Sequence, residues 1–414
     1  MSTITSRERV QMALHHEEPD RIPIDLGSSR SSGINAIAYR DLKKHLDISN
    51  GEVRVFDVKQ LMALVEDEVL ERFGVDVVML PRLKPSIGLK LKGWKPAKLP
   101  VDDGDCMVPG GFAPKTLENG DAVILDAEGR ELARRPAEGL YYDEMYHPLE
   151  QAQTEADIDA LPLPEMSDEE MVFAREQAKQ LFETTDYAIS GATSFSLFEK
   201  GTKDFGYENF LMMLYTEPEL VEYYLDKLTD AYILMMRRYL DAVGGYVQIV
   251  QNNDDVGMQT GMIIAPDIYR KFFKERHAKI IRAIKEKDRD VAIYLHSCGS
   301  IYPVMHDLIE AGFEIFNPVQ WNAADMDARR LKDEFGKKCT FWGGGVDTQG
   351  TLMNGSVQDV IDEVKQMIRI FAPGGGFVFN AVHNIQAGVH PAKIAAVFDT
   401  ALDYGRRECY SADL

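Results

Sequence analysis

Short apolar runs alternate along the chain with longer stretches in which apolar residues recur at helical spacing. The apolar runs are bounded by Gly, Pro, Asn or Asp, which is typical of buried strands. The predicted strands are Ile22–Leu26, Val75–Leu80, Tyr187–Ser190, Tyr246–Val250, Val291–His296, Phe313–Asn317, Thr340–Gly343 and Phe377–Ala381. Because most of these strands are separated by a predicted helix, the pattern indicates eight successive β/α units.

The predicted helices cover residues 6–16, 35–47, 58–72, 167–183, 205–242, 266–286, 301–311, 325–335, 356–371 and 391–406. Eight β/α units favour a closed (β/α)8 barrel of the TIM type, because an open sheet of that size more often splits into domains. Residues 90–160 interrupt the rhythm with Gly, Pro and short alternating pieces. We therefore predict one barrel domain over residues 1–414 with a small β-hairpin insertion at about 90–160.

Composition narrows the functional classes. The 414 residues include 45% hydrophobic and 27% charged residues, as in ordinary folded proteins, and carry a net charge of −21. That charge gives no electrostatic support for binding nucleic acid or an anionic membrane surface. The N-terminal sequence has no apolar signal segment and no run is long enough to cross a bilayer, so we expect a cytoplasmic protein. The oligomeric state stays open, a homodimer included.

Polar side chains gather after the predicted strands, where a (β/α)8 barrel keeps its active site. These residues include Arg30, Glu199, Asn252, Asp254, Asp255, Gln259, Asn317, Gln320 and Asp347. The adjacent carboxylates Asp254 and Asp255 suit a helix cap, a ligand contact or a general acid or base. Gly27–Gly33 is predicted to be a flexible polar loop. The others are candidates for contacts to a small-molecule substrate.

The strand Val291–His296 ends in a histidine that is followed two residues later by Cys298. Side chains alternate along a strand, so Tyr294, His296 and Cys298 are predicted to share one face. Imidazole and thiolate are zinc ligands, and a strand end is where a barrel carries its chemistry. A pair of ligands alone is more often a packed cysteine beside a hydrogen-bonded histidine.

The remaining candidates sort by the end of the barrel that they occupy. Cys339 directly precedes a strand, at the opposite end from His296, and is excluded as a ligand. His277 falls on a predicted helix and is expected to be solvated. His383 follows the last strand with the parity of Phe377 and Phe379, and so is predicted to reach the barrel mouth.

His296, Cys298 and His383 together would leave one coordination position for water or substrate, which is typical of catalytic zinc. The fourth position could be taken by Glu199, Asp347 or water. The sequence does not choose among them.

With these residues assembled, the chain resembles the uroporphyrinogen decarboxylase superfamily, which includes cobalamin-dependent methyltransferases. The resemblance runs almost end to end. Its segments are Asp20–Asp25, Phe73–Val77, Asn253–Gln259, Leu295–Gly299, Phe316–Gln320, Phe341–Asp347 and the region from Gly374 to His383. The resemblance implies a single (β/α)8 barrel, in agreement with the strand count.

Two branches of the superfamily compete. Decarboxylases carry an Arg-Gln-Ala-Gly-Arg segment whose arginines hold the carboxylates of the substrate, whereas Gly27–Gly33 has Arg30 alone. A net charge of −21 also disfavours a substrate with eight carboxylates. The zinc motif of the methyltransferases is His-x-Cys plus a later cysteine. His296 and Cys298 match this motif, and His383 stands near the position expected for the later cysteine.

The resemblance therefore implies a zinc-dependent methyltransferase that acts between a small O-, N- or S-methyl compound, a thiol or folate, and a corrinoid cofactor or corrinoid protein. In this hypothesis Asp254, Asp255 and Asn317 orient the substrate and Asp347 acts as acid or base. Two alternatives remain. One is a decarboxylase-like carboxy-lyase without metal, and the other is a non-catalytic barrel that binds a corrinoid or its carrier, with zinc as a structural staple.

Overall fold

The computed structural model describes residues 4–411. Its central feature is a curled sheet of parallel strands in which each strand pairs with the next one along the chain. The strands are Val77–Leu80, Ala188–Gly191, Ile249–Asn253, Ala292–His296, Ile315–Asn317, Thr340–Trp342 and Phe377–Val378. This sequential order is the arrangement that repeated β/α units produce.

The first and last strands of the sheet are joined by a short segment near the N-terminus. Ile24 pairs in parallel with Phe379, and Asp25 pairs in parallel with Val77. The backbone N–H of Asp25 donates to the carbonyl oxygen of Phe379 over 2.8 Å. The segment thus acts as the eighth strand and closes the barrel, which confirms the predicted (β/α)8 fold.

Helices surround the barrel between its strands. They are Ser6–Leu14, Ala36–His45, Asp67–Arg72, Glu155–Asp159, Asp168–Thr184, Phe198–Phe205, Tyr207–Thr216, Pro218–Val243, Pro266–Tyr269, Glu275–Lys287, Met305–Ala311, Ala328–Phe335, Thr351–Asn354, Val357–Phe371, Pro391–Tyr404 and Arg407–Ser411. Within residues 4–411, none of the helices combines the length and the apolarity that a membrane span requires.

Side chains alternate between two cores along the barrel strands. The interior core contains Val77, Ala188, Ile249, Ala292, Tyr294, Ile315, Trp342 and Val378. Val10 and Ala13 of helix Ser6–Leu14 belong to the same cluster, and Ala13 accepts a backbone hydrogen bond from Gly376 at the start of the last strand. Ile293 and Leu295 instead pack beneath the helices. The alternation predicted for the strand that ends at His296 is therefore confirmed.

The predicted helix at 58–72 is only partly correct. Asp67–Arg72 is helical, whereas Val55–Asp57 and Met62–Ala63 form an antiparallel pair. The backbone N–H of Gln60 donates to the Asp57 carboxylate over 2.9 Å. A local side-chain bond of this kind stabilises a turn in competition with the helix, which explains the error.

The insertion is larger than the predicted hairpin. It has one antiparallel pair and one four-stranded antiparallel sheet, formed by Lys95–Lys98 and Asp105–Val108, and by Lys115–Thr116, Ala122–Leu125, Glu131–Arg135 and Asp143–Glu144. Ala122, Ile124, Ala133 and Tyr142 form a small apolar cluster of its own. Because the strands are short and bounded by turns, the sequence pattern revealed only part of this unit.

The loop Gly27–Gly33 is not the flexible loop that the sequence predicted. Both the backbone N–H and the hydroxyl of Ser28 donate to the carboxylate of Asp25, at 2.9 and 2.8 Å. The indole N–H of Trp342 donates to the same carboxylate over 2.8 Å. The loop therefore turns inward, and its serines are buried at the barrel mouth.

Asp76 ties the closing segment to the first helix. Its carboxylate is fully buried and lies 2.8 Å from the guanidinium of Arg9 and 2.6 Å from that of Arg21. It also accepts the backbone N–H of Ile24 over 2.8 Å. One buried carboxylate thus holds two arginines and the backbone of the closing segment.

Replacing Asp76 should weaken the fold far more than replacing an exposed acid. Asp76→Asn keeps the side-chain size but leaves Arg9 and Arg21 without their buried counter-charge, so we expect the free energy of unfolding to fall by about 3 to 5 kcal/mol. Asp399→Asn breaks an exposed pair with Arg72 and should cost less than about 1 kcal/mol. Urea denaturation followed by circular dichroism measures both, and equal losses would contradict the role assigned to Asp76.

Candidate metal centre

Three potential metal ligands meet at the mouth of the barrel. His296 is the last residue of its strand, and the sulfur of Cys298 lies 3.3 Å from His296 Nε2. The ring of His383 lies with its centroid 5.4 Å from that of His296. The ligand atoms of the three residues all lie within 4.8 Å of one another. Zinc bonds of about 2.0 to 2.3 Å require only small side-chain movements from this arrangement.

The neighbours of His296 fix the position of its proton. Its Nδ1 lies 2.5 Å from the carbonyl oxygen Oδ1 of Asn317, while the amide nitrogen of Asn317 donates to the carbonyl oxygen of Trp342 over 2.8 Å. Because that amide nitrogen faces Trp342, the oxygen faces the imidazole, and Nδ1 is the donor. This leaves Nε2, 3.3 Å from the sulfur of Cys298, as the nitrogen that can bind a metal ion.

His383 is held in the same way. Its Nδ1 lies 2.7 Å from Asn384 Oδ1, and the amide nitrogen of Asn384 lies 3.3 Å from the sulfur of Met62. Burial, followed by the nearby His296, lowers the pKa of His383 to about 4. The imidazole is thus neutral at ordinary pH and keeps Nε2 free as a second nitrogen ligand.

Cys298 lies in surroundings that disfavour its thiolate. Burial raises the pKa of the Cys298 thiol, and the carboxylates of Asp255 and Glu199 raise it further. Asp255 Oδ1 accepts the backbone N–H of Cys298 over 2.7 Å and lies 3.8 Å from His296 Nε2. A thiolate here needs a cation, and a bound metal ion supplies one. Two imidazoles and one thiol form a donor set that fits zinc.

The two carboxylates predicted as fourth ligands have other partners. Glu199 pairs with Lys203 over 3.0 Å and also accepts the backbone N–H of Asp255 over 3.3 Å. Asp347 accepts the backbone N–H of Gln349 over 2.9 Å. Neither belongs to the group of converging ligand atoms within residues 4–411. Of the three candidates for the fourth position, the geometry favours water or substrate.

A cavity of about 310 Å³ opens beside Cys298 and His383. Two carboxamide side chains on its wall form a pair, because Gln320 Nε2 donates to Gln259 Oε1 over 2.5 Å. The oxygen of Gln320 accepts the backbone N–H of Gly299 over 2.9 Å. Asp347 also lines the cavity, and the described lining contains no lysine or arginine. The wall therefore offers hydrogen bonds and one carboxylate.

The family of the chain follows from its comparison with known proteins. The family model described as "Uroporphyrinogen decarboxylase (URO-D)" matches residues 145–404. The chain belongs to the uroporphyrinogen decarboxylase family. The matched range contains His296, Cys298 and His383. It starts directly after Asp143–Glu144, the last strand of the insertion. The resemblance inferred from the sequence is confirmed.

Relatives of this uroporphyrinogen decarboxylase family member are distant in sequence. The uroporphyrinogen decarboxylase of Alkalilimnicola ehrlichii is 26% identical, over 67% of this chain and 72% of its own length. That of Shewanella amazonensis is also 26% identical, over 69% and 80%. A methyltransferase from Methanosarcina mazei has a TM-score of 0.60 at 16% identity, with 97% of this chain and 99% of that chain covered. This last likeness shows a shared fold.

Of the roles that the sequence left open for Asp254, the structure shows that of a helix cap. Its carboxylate accepts three successive backbone N–H groups at the start of helix Phe198–Phe205, over 2.8 to 3.2 Å. It also accepts Nε2 of His277 over 3.1 Å. Both oxygens are thus occupied, which does not suit an acid or base. His277, predicted to be solvated, is 1% exposed and also contacts the Tyr269 hydroxyl over 3.3 Å.

The amides of Asn252 and Asn317, predicted as substrate contacts, are bonded to protein groups. The strand continues to Asn253, so Asn252 lies on the outward side with Val250, and its side-chain oxygen accepts the backbone N–H of Phe195 over 2.8 Å. Asn317 supports His296. The inward residue that the sequence missed is Gln251, whose amide donates to the Ser28 carbonyl and the Ser190 hydroxyl over 2.7 and 2.8 Å.

His383 reaches the mouth for a different reason from the one predicted. The strand ends at Val378, and the side chains of Phe377 and Phe379 pack in the outer core, so their parity does not lead to the mouth. The segment beyond is held by the backbone N–H of Val382, which donates to the Val346 carbonyl over 2.9 Å. A bend, and not strand alternation, brings His383 inward.

Arg30 was predicted to lie at the barrel mouth, and in the structure it lies near His383. Its guanidinium pairs with the buried Asp57 over 3.2 Å, and its charge is one cause of the lowered pKa of His383. Cys339 directly precedes its strand, is buried, and lies outside the group of converging ligands, so its exclusion was correct.

Removing the support of His296 should weaken metal binding without unfolding the barrel. Asn317→Leu keeps approximate size but removes the oxygen that holds the Nδ1 proton, so we expect zinc affinity to fall about 10- to 100-fold. Competition with a chromophoric chelator measures this. Asn252→Leu is the matched control, because it removes an equally buried asparagine from the strand on the other side of the one that ends at His296. Parental affinity in Asn317→Leu would contradict the assigned tautomer.

Proposed function

We propose that the chain is a zinc-dependent methyltransferase acting between a small O-, N- or S-methyl compound, a thiol or folate, and a corrinoid cofactor or corrinoid protein. The observation that carries this proposal is the convergence of one thiol and two imidazoles at the barrel mouth, each imidazole bonding an amide oxygen through Nδ1 and leaving Nε2 for a metal ion. Three ligands from two strand ends leave one position for substrate, which is typical of catalytic zinc. Structural zinc usually has four protein ligands.

Each residue of the cluster has a distinct part in the proposed reaction. Zinc, when bound, would act as a Lewis acid on the heteroatom that carries or accepts the methyl group. His296 and His383 would hold the ion through Nε2, and Cys298 would bind it as a thiolate after losing its proton. Asp255, 3.8 Å from His296 Nε2, is placed to hold a proton beside the cluster. Asp347 is the acid or base on the cavity wall.

The cavity beside the cluster is where we place the methyl compound. Its volume of about 310 Å³ suits a small molecule but is smaller than a corrin macrocycle, which favours a corrinoid presented by a separate carrier protein. Gln259 and Gln320 offer hydrogen bonds, and Asp347 offers a negative charge that the described lining does not neutralise. These groups favour neutral or cationic substrates over carboxylates.

The second candidate function is decarboxylation, because the relatives named above are uroporphyrinogen decarboxylases. A substrate with many carboxylates requires cations to hold them. The inward loop has only Arg30, which pairs with Asp57, and the lining of the cavity offers neither lysine nor arginine. We therefore rank a carboxy-lyase, and a non-catalytic corrinoid-binding barrel, below the methyltransferase.

A cytoplasmic location stays a prediction.

Metal analysis after anaerobic purification tests the cluster. We expect about one zinc per chain, and its loss in Cys298→Ser and His383→Ala, because a three-ligand site does not retain zinc after losing a ligand. Cys339→Ala is the control, since it removes a buried cysteine away from the cluster. Circular dichroism checks that the fold persists. Unchanged zinc in both ligand variants would remove the basis of the proposed function.

Methyl transfer to or from a reduced corrinoid, followed by its absorption spectrum, tests the activity directly. The panel contains methoxyaromatics, methylamines, thiols and tetrahydrofolate. Among matched compounds, methoxybenzylamine and methoxybenzyl alcohol should react faster than methoxybenzoate, because Asp347 repels the carboxylate. Asp347→Asn should reduce the preference for the amine by about tenfold. No transfer with any compound, combined with release of carbon dioxide from uroporphyrinogen, would favour the decarboxylase.

A further inference from the structure

A chain of hydrogen bonds leads from the insertion to a metal ligand. The hydroxyl of Tyr141 donates to Gln386 Oε1, and Gln386 Nε2 donates to Asn384 Oδ1. That same oxygen accepts the Nδ1 proton of His383 over 2.7 Å. The side chains of Tyr141, Gln386, Asn384 and His383 thus form one connected chain. It begins two residues before the last strand of the insertion and ends at the third candidate ligand of the cluster.

The hydrogen bonds of this chain converge on the side-chain oxygen of Asn384, which accepts from both Gln386 and His383. The Tyr141 hydroxyl occupies the carbonyl oxygen of Gln386, so the amide nitrogen of Gln386 faces Asn384. A flipped Gln386 amide would place two oxygens against each other. Asn384 directs its own nitrogen to the sulfur of Met62, which leaves its oxygen for His383. The donor at one end therefore determines which nitrogen of His383 carries the proton.

We propose that Tyr141 is a positioning residue for His383, so that the insertion sets the tautomer and orientation of the third zinc ligand. The zinc part of this inference rests on the proposed function, whereas the tautomer of His383 does not depend on it. His296 is supported by Asn317 and Trp342 of the barrel. Tyr141 lies before the range 145–404 that the family model matches.

Tyr141 is held firmly enough for this role. Next to it, the backbone N–H of Tyr142 donates to the Lys59 carbonyl over 2.9 Å, and Glu144 forms an ion pair with the Lys59 ammonium. Burial raises the pKa of Tyr141, so its hydroxyl keeps the proton that it donates. Movement of this segment away from Lys59 would withdraw the donor from Gln386 and release the amides that orient His383.

Tyr141→Phe tests the proposal because it removes one hydroxyl and no other atom. We expect zinc affinity to fall about tenfold. In the metal-free protein, the imidazole 15N shifts of His383 should move toward a mixture of tautomers, a readout that involves neither metal nor methyl transfer. Tyr142→Phe is the matched control, since it makes the same change in a neighbouring buried tyrosine of the apolar cluster of the insertion. It should leave both measurements unchanged.

Gln386→Leu breaks the chain at its next link and remains informative if Tyr141→Phe does not fold. It should give a similar loss of zinc affinity. Adding Tyr141→Phe to Gln386→Leu should cause little further loss, because both changes interrupt the same chain. Independent, additive losses would overturn the proposal.

The outcomes separate this inference from the proposed function. Parental zinc affinity and parental His383 shifts in Tyr141→Phe would overturn the positioning role, whether or not the protein transfers methyl groups. An equal loss in Tyr142→Phe would also overturn it, because general loosening of the insertion would then be the cause. A shifted His383 tautomer in a protein that transfers no methyl group would support the positioning role and contradict the methyltransferase.

Discussion

Closure of the barrel is the constraint on which the candidate site depends. The strands that end near His296 and His383 are three steps apart in the sheet, and neighbouring strands lie about 4.8 Å apart, so a flat sheet would separate them by roughly 14 Å. The ligand atoms nevertheless lie within 4.8 Å of one another. Only the curl that is completed at Ile24 and Asp25 brings these two strand ends together.

The electrostatics of the mouth would be unfavourable without a cation. Cys298 is desolvated and faces the carboxylates of Asp255 and Glu199, and both histidines are arranged to present lone pairs. Each of these features opposes a negative charge on sulfur, yet each would become favourable next to a divalent ion. The nearby cations Lys203 and Arg30 already pair with Glu199 and Asp57, so a bound divalent ion is the group that would offset these features. This is the physical reason to prefer a metal centre over a packed cysteine and histidine.

The sequence predicted the residue types of the site better than their orientations. Alternation placed Tyr294 in the barrel and His296 at its mouth, because that strand is regular over its whole length. Asn252 was misassigned because its strand extends three residues beyond the predicted end, which changes loop residues into strand residues with a fixed side. The role of Asp254 depends on a helix more than fifty residues away in the chain. Local periodicity contains no information about such a partner.

The two histidines differ in how much support they need. His296 ends a five-residue strand, so the backbone ladder sets its direction. His383 follows a strand of only two residues and lies in irregular chain, where the backbone N–H groups of Val382 and Ile385 bond the carbonyls of Val346 and Gly33. These bonds fix the path of the backbone, while the direction of the imidazole depends on its side-chain contact with Asn384. The insertion reaches this contact through the hydrogen bonds from Tyr141 to Gln386 and from Gln386 to Asn384.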